Sequence, residues 1–191
     1  MNGIRSQLDP VRFGLVLGLV AVLFGWGLGI FFGVGEDWIR KRFIADAEEH
    51  RAIYVQKAGS EDGATAAIKR IDESAWHYLI RAHLHGGGIG SIAIGASLVL
   101  ALVSARPGLK MAASALLGVG AVGYPLFWMW AGLRAPGLGS TGAAKESLRW
   151  LAMPSSGALI VGGVITLTLV VGDLMLGRGR RVAVPAGGGE G

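Results

Sequence analysis

Apolar residues in this chain are gathered into long blocks instead of being spread at a helical or strand period. The blocks 13–34, 87–104, 109–133 and 155–176 carry almost no charge, with Asp173 and, at the start of the third, Lys110 the exceptions. A helix rising about 1.5 Å per residue needs about 20 such residues to cross a hydrocarbon core about 30 Å thick. Each block is therefore predicted to be a transmembrane helix, the second being short and glycine-rich. The one substantial polar stretch, 36–82, separates the first two blocks. In it Trp38, Ile39, Phe43, Ala47, Ile53 and Tyr54 recur at roughly helical spacing among Arg and Glu. Gly59, Ser60, Asp62 and Gly63 then read as a turn, and a second polar helix starts near Ala64 and leads towards the second block. The predicted fold class is all-α: an integral membrane four-helix bundle with a helical extramembrane loop between its first and second helices. It forms a single membrane domain over 1–191, with a polar helical cap over 36–82 and a flexible tail over 177–191.

Within the blocks, glycine and proline add detail. Gly14/Gly18 and Gly25/Gly29/Gly33 have the four-residue spacing that lets helix backbones approach closely in lipid, which predicts a tight seam on the first span. Arg106-Pro107-Gly108 reads as a tight turn between spans two and three. Pro125 lies inside the third span, where it predicts a kink. The cluster Phe127, Trp128, Met129 and Trp130 beyond it reads as an interfacial belt. Lys145, Glu146, Arg149 and Trp150 suggest a short amphipathic turn before span four.

Composition narrows the classes. With 52% hydrophobic and 16% charged residues the chain is far from a soluble average. Arg5 and Arg12 precede an apolar stretch, as in a secretory signal. The block is longer than a signal's apolar region of about 7–15 residues, so it is expected to be a retained span. The absence of cysteine excludes disulfides, thiolate catalysis and cysteine-ligated zinc or iron–sulfur centres. The net charge of +5 is not a nucleic-acid signal, because Lys and Arg lie in the segments flanking the spans. The partners expected are the lipid bilayer and either protein subunits or further copies of this chain, with no nucleic acid.

Three of the four histidines, His77, His83 and His85, sit where the polar segment meets the second block. On a helix of about 3.6 residues per turn, His83 and His85 point about 200° apart, so one helix cannot aim both at one ion. His77, Arg81 and His85 share a face. His83 lines up with Gly87, Gly90 and Ile94, close to a Gly87/Ser91/Gly95 stripe that is the natural packing face of span two. His83 is thus expected to look into the bundle and His85 elsewhere. The candidate cofactor-binding residues are His85, His83, His77 and Arg81, with His85 and His83 as candidate iron ligands. A hydrogen-bonded structural histidine, a haem or metal ligand and a proton-relay or quinone-site histidine all remain open. Glu36 and Asp37 read as helix-end carboxylates. Gly86, Gly87 and Gly88 could hold a phosphate at a helix start, but the chain lacks a GxxxxGK[ST] pattern.

Arg81-Ala82-His83-Leu84-His85 followed by Gly90 resembles the His-x-His-x-x-x-x-Gly opening of the second span in catalytic subunits of haem–copper oxidases and nitric oxide reductases. The resemblance covers about 25 residues. It implies a histidine ligand to haem b, His85 by position, on a span entered from the outer face. The departures are large: Gly87 stands where that family has asparagine, and no histidine follows His85, so the second haem ligand and the copper-site histidines are missing. Lys and Arg counts alone would place the long loop inside the cell. The segments on the opposite side carry almost no acid, and with the resemblance this favours cytoplasmic chain ends in a bacterial-type inner membrane. No complete catalytic constellation is present. The expected function is a non-catalytic integral membrane subunit or accessory protein, the alternative being a haem-b electron-transfer subunit using His83 or His85.

Overall fold

The computed structural model describes residues 2–177, and among these every regular element is helical. A short helix, α1 (Asn2–Leu8), and a 3-10 turn at Asp9–Val11 lead into α2 (Arg12–Glu49). There follow α3 (Arg51–Ala58), α4 (Glu61–Leu102), α5 (Pro107–Arg134), α6 (Thr141–Ser147) and α7 (Arg149–Leu176). The segments containing the four blocks are long and apolar enough to cross a membrane, by length and composition.

The turn expected after the first polar helix is found at Gly59 and Ser60, while Asp62 and Gly63, expected in it, belong to the first turn of α4. Gly59 takes φ +75°, a left-handed conformation that costs glycine nothing because it has no Cβ. Ser60 then caps α4, its hydroxyl accepting the Gly63 N–H at 3.1 Å. α4 begins at Glu61, one turn earlier than Ala64, and runs without interruption to Leu102. α2 is likewise continuous past Gly33 and Gly35. The change from polar cap to apolar block is therefore a change of residue type along two unbroken helices, which fixes the rotation of each block relative to the cap. Pro107 opens α5, and Pro125 is accommodated inside it, fully buried.

α2, α4 and α5 pack against one another, whereas α7 lies along α5 and meets α4 at few points. The two halves of this assembly are filled differently. In the polar half, large side chains from α2, α3 and α4 (Ile39, Phe43, Tyr54, Ile68, Ile71, Trp76, Leu79) form one core with Ala135 and Ala144. The α5–α6 loop closes it: the Tyr54 hydroxyl donates to the Pro136 carbonyl and the Lys57 ammonium to the Gly139 carbonyl at 3.1 Å. Burial, with Asp46 nearby, pushes the Tyr54 phenol up to about 12. Asp72 is 4% exposed and pairs with Arg40 at 2.9 Å, Arg40 also lying 3.6 Å from Glu36. Burial raises the Asp72 carboxyl above its ordinary range even though Arg40 opposes the shift.

In the apolar half the interior is small. Gly14, Gly18, Ala21 and Gly25 of α2 face Gly86, Gly90, Ala93 and Ser97 of α4 and Ser114, Gly118 and Ala121 of α5. At the end remote from the cap, the Ser114 hydroxyl donates to the Val11 carbonyl at 3.0 Å and lies 2.8 Å from the Ser97 hydroxyl. Asp173 accepts the Ser104 N–H at 3.2 Å there, at the α4–α5 turn and far from the histidines, as its place in the fourth block required. Most large apolar side chains point outward: Leu23, Ile30, Ile92, Leu102, Ile160, Leu167 and Leu174 are all more than half exposed, while Leu100 and Leu117 are among the few turned in. The tail expected to be flexible lies, from residue 178 onward, outside the described residues.

Candidate functional site

The histidine segment of α4 sits where the two kinds of interior meet. His83 and His85 turn to different neighbours, as the helical spacing required. The His83 imidazole meets α2: its Nδ1 lies 2.7 Å from the Gly25 carbonyl and its ring stands edge-on to Phe32 at 6.3 Å. A carbonyl only accepts, so Nδ1 carries the proton and Nε2 holds the lone pair. This contact is possible because α2 presents glycine. A methyl group built on Gly29 would stand 2.6 Å from His83 Cε1, and one built on Gly25 would stand 2.4 Å from Gly87 N. Gly14, Gly18, Gly25 and Gly29 thus form the close seam expected of span one, whereas Gly33 has open space beside it.

The partner stripe on α4 differs from the expected Gly87/Ser91/Gly95. Gly86, Gly90, Ala93 and Ser97 are buried, while Gly87 and Gly95 face open space and Ser91 is exposed. The reason is the continuity of α4. Ile68, Ile71, Ala75, Leu79 and Ala82 set the buried line in the cap, and the same line extended by helical spacing reaches Gly86 and Gly90.

His85 faces α5. Its Nδ1 donates to the Arg81 carbonyl one turn back at 2.6 Å, and its ring packs edge-on to Tyr124 at 5.2 Å and stacks over Trp128 at 6.3 Å. The Arg81 guanidinium lies over the Tyr78 and Trp128 rings, 5.4 and 5.0 Å from their centroids. Trp128 is therefore the hub of an inward cluster and not part of a belt. Its indole N–H is buried with no hydrogen-bond partner among the described residues. Trp130 and Trp150, exposed and 6.4 Å apart, have the outward placement expected of a belt. His77 shares the face of Arg81 and His85 in register but is solvent-exposed and outside the cluster. His50 sits at the end of α2 with its Nδ1 2.8 Å from the Asp46 carbonyl.

The tautomer of both imidazoles suits a metal ligand, but the packing around them does not suit a haem. His83 is wedged between the Gly25–Gly29 backbone and Phe32, and His85 is clasped by two aromatic rings. The two side chains turn towards different helices. Among the described residues no group of three or more His, Asp and Glu side chains could hold a metal ion. What the arrangement does chemically is seat one imidazole against a helix backbone and stack a cation and a second imidazole on aromatic faces.

A cavity of about 450 Å³ opens on the other side of this junction, between α2, α4 and α5. Leu28, Phe31, Phe32, Ile39 and Phe43 line it from α2, Leu79 from α4, and Met129 and Leu133 from α5; Arg42, Asp46 and Glu49 lie at its polar end. No histidine lines it. The sequence carried a signal for it: Phe32, Ile39, Phe43 and Asp46 recur on one helical face across the polar boundary. No family model, curated protein or solved structure matches this chain.

Proposed function

We propose that the chain is a four-span integral membrane protein serving as a non-catalytic subunit or accessory protein of a membrane complex, with both chain ends on the cytoplasmic side of a bacterial-type inner membrane. The observation that carries this reading is the difference in side-chain size between the two halves: in the apolar blocks the contacts among α2, α4 and α5 are made largely by glycine, alanine and serine, and most large apolar residues are exposed. Water would penalise that surface by about 25 cal/mol per Å², whereas lipid does not. α7 supports the subunit reading, since it is held chiefly along α5, touches α4 at few points, and leaves much of its apolar circumference open to lipid, to another subunit or to a second copy. The histidine cluster supplies contacts but no nucleophile paired with a base.

Membrane extraction of the tagged full-length chain tests the proposal. The expected result is a protein that resists alkaline wash, needs detergent, and migrates on native gels with other polypeptides in fixed stoichiometry. A monodisperse chain recovered alone from mild detergent would overturn the subunit role, and a water-soluble one the membrane role. Orientation is read from cysteine labelling, which the cysteine-free background permits: Gln7→Cys and Asp62→Cys should label from opposite sides. The haem-b alternative, using His83 or His85, has in its favour only the Nδ1–carbonyl contact each imidazole makes, and the packing around both rings opposes it; an absorption spectrum with and without dithionite decides it. A reduced α-band lost in His83→Ala or His85→Ala would favour it.

A further inference from the structure

The cavity between α2, α4 and α5 is graded along its length, and we propose that it binds one zwitterionic aminophospholipid, with an acyl chain against Leu28, Phe32 and Leu79 and the headgroup at Arg42 and Glu49. This rests on the membrane reading above. Along α2 the lining changes from aliphatic and aromatic at Leu28–Phe32, through Trp38, Ile39 and Phe43, to Arg42, Asp46 and Glu49. From Leu28 to Glu49 the helix rises about 30 Å, so the site is long, apolar at the end within the span and charged at the end outside it. That order matches an amphiphile lying parallel to α2, and the cavity has room for one acyl chain, the second chain lying outside it.

The charges select the headgroup. Arg40, two residues away, is engaged by Glu36 and Asp72, and Asp46 by His50 at 3.4 Å. Among the described residues, Arg42 and Glu49 have no ion-pair partner within 4.0 Å. A free guanidinium and a free carboxylate two turns apart on the cavity rim complement a phosphate and a primary ammonium. A purely anionic headgroup would leave Glu49 uncompensated beside it. The guanidinium can meet a phosphate with two parallel N–H donors, and a carboxylate accepts N–H bonds that a quaternary ammonium does not offer.

The test uses the full-length protein purified in detergent and exposed to an equimolar mixture of phosphatidylethanolamine, phosphatidylglycerol and phosphatidylcholine, with retained lipid counted by native mass spectrometry. The expected result is one retained phosphatidylethanolamine per chain. Retention should fall roughly fivefold in Arg42→Gln and in Glu49→Gln, the scale of a partly exposed charge contact, and be lost in Ala45→Trp, which fills the rim. Arg42, Ala45 and Glu49 are exposed, so helical content and melting temperature serve as controls that these variants remain folded. Equal retention of the three lipids, unchanged in folded variants, would overturn the site, as would preference for phosphatidylglycerol. Those outcomes leave the membrane reading standing, whereas a chain soluble without detergent removes both.

Discussion

The polar and apolar halves are built from the same two helices, α2 and α4, yet their interiors are opposites. In the cap the helices are held apart by Phe43, Tyr54, Ile68 and Trp76, and charge lies outside apart from the Arg40–Asp72 pair. In the apolar half Gly25 meets Gly86 and Gly87 backbone to backbone, and Leu23 and Ile30 lie outside. The difference teaches what drives each half together. Removing large apolar surface from water stabilises the cap. In the proposed membrane the surroundings are as apolar as leucine, so close van der Waals contact must do the work, and close contact requires the absence of side chains.

The comparison is broken most severely by emptying the cap core. Phe43→Ala, at a position 4% exposed, should cost about 4 kcal/mol, read as a lowered midpoint of denaturant unfolding in detergent. Adding one methyl to the seam comes next: Gly25→Ala should cost about 3 kcal/mol, because the contacts it meets are backbone and cannot swing away. The same change at Gly27, which has open space, should stay within about 1 kcal/mol of wild type and be neutral or stabilising. Equal effects at Gly25 and Gly27 would remove the seam argument.

Arg40→Gln should cost about 2 kcal/mol at neutral pH, below the range for a fully buried pair because the Arg40 side chain is 30% exposed. The sign of its pH dependence follows from Asp72, whose folded carboxyl titrates above the ordinary 3.8. Such a group favours the folded state when protonated, and that contribution is lost as pH rises from about 3.8 through the raised folded value. The variant, lacking the opposing guanidinium, should therefore regain stability relative to wild type as pH falls. The smallest effect is expected outside: Leu23→Ala, at a position 63% exposed, should change stability by less than about 0.5 kcal/mol in detergent, far less than Phe43→Ala.

Much of this was legible in the residues because it depends on local chemistry. The four apolar blocks, the turn at Gly59 and Ser60, the divergence of His83 and His85, and the remote position of Asp173 each follow from spacing or from a single residue's conformational range. The buried stripe of α4 was displaced by one residue from the expected line, since glycines in the block suggest one face while the apolar residues of the preceding polar helix fix another. Trp128 was misplaced for a related reason. An aromatic near a span end reads as an interfacial belt until Tyr78, Arg81 and His85 of a different helix are seen to surround it.

By itself the sequence determined where the chain is apolar, where it turns, and which side chains share a helical face, because those properties are set within one or two turns of backbone. Tertiary structure decided which face is buried, which helix stays peripheral, that Arg40 meets Asp72, and that a cavity remains between α2, α4 and α5. Those outcomes depend on how three surfaces fit together, and a residue's fit is a property of its distant neighbours.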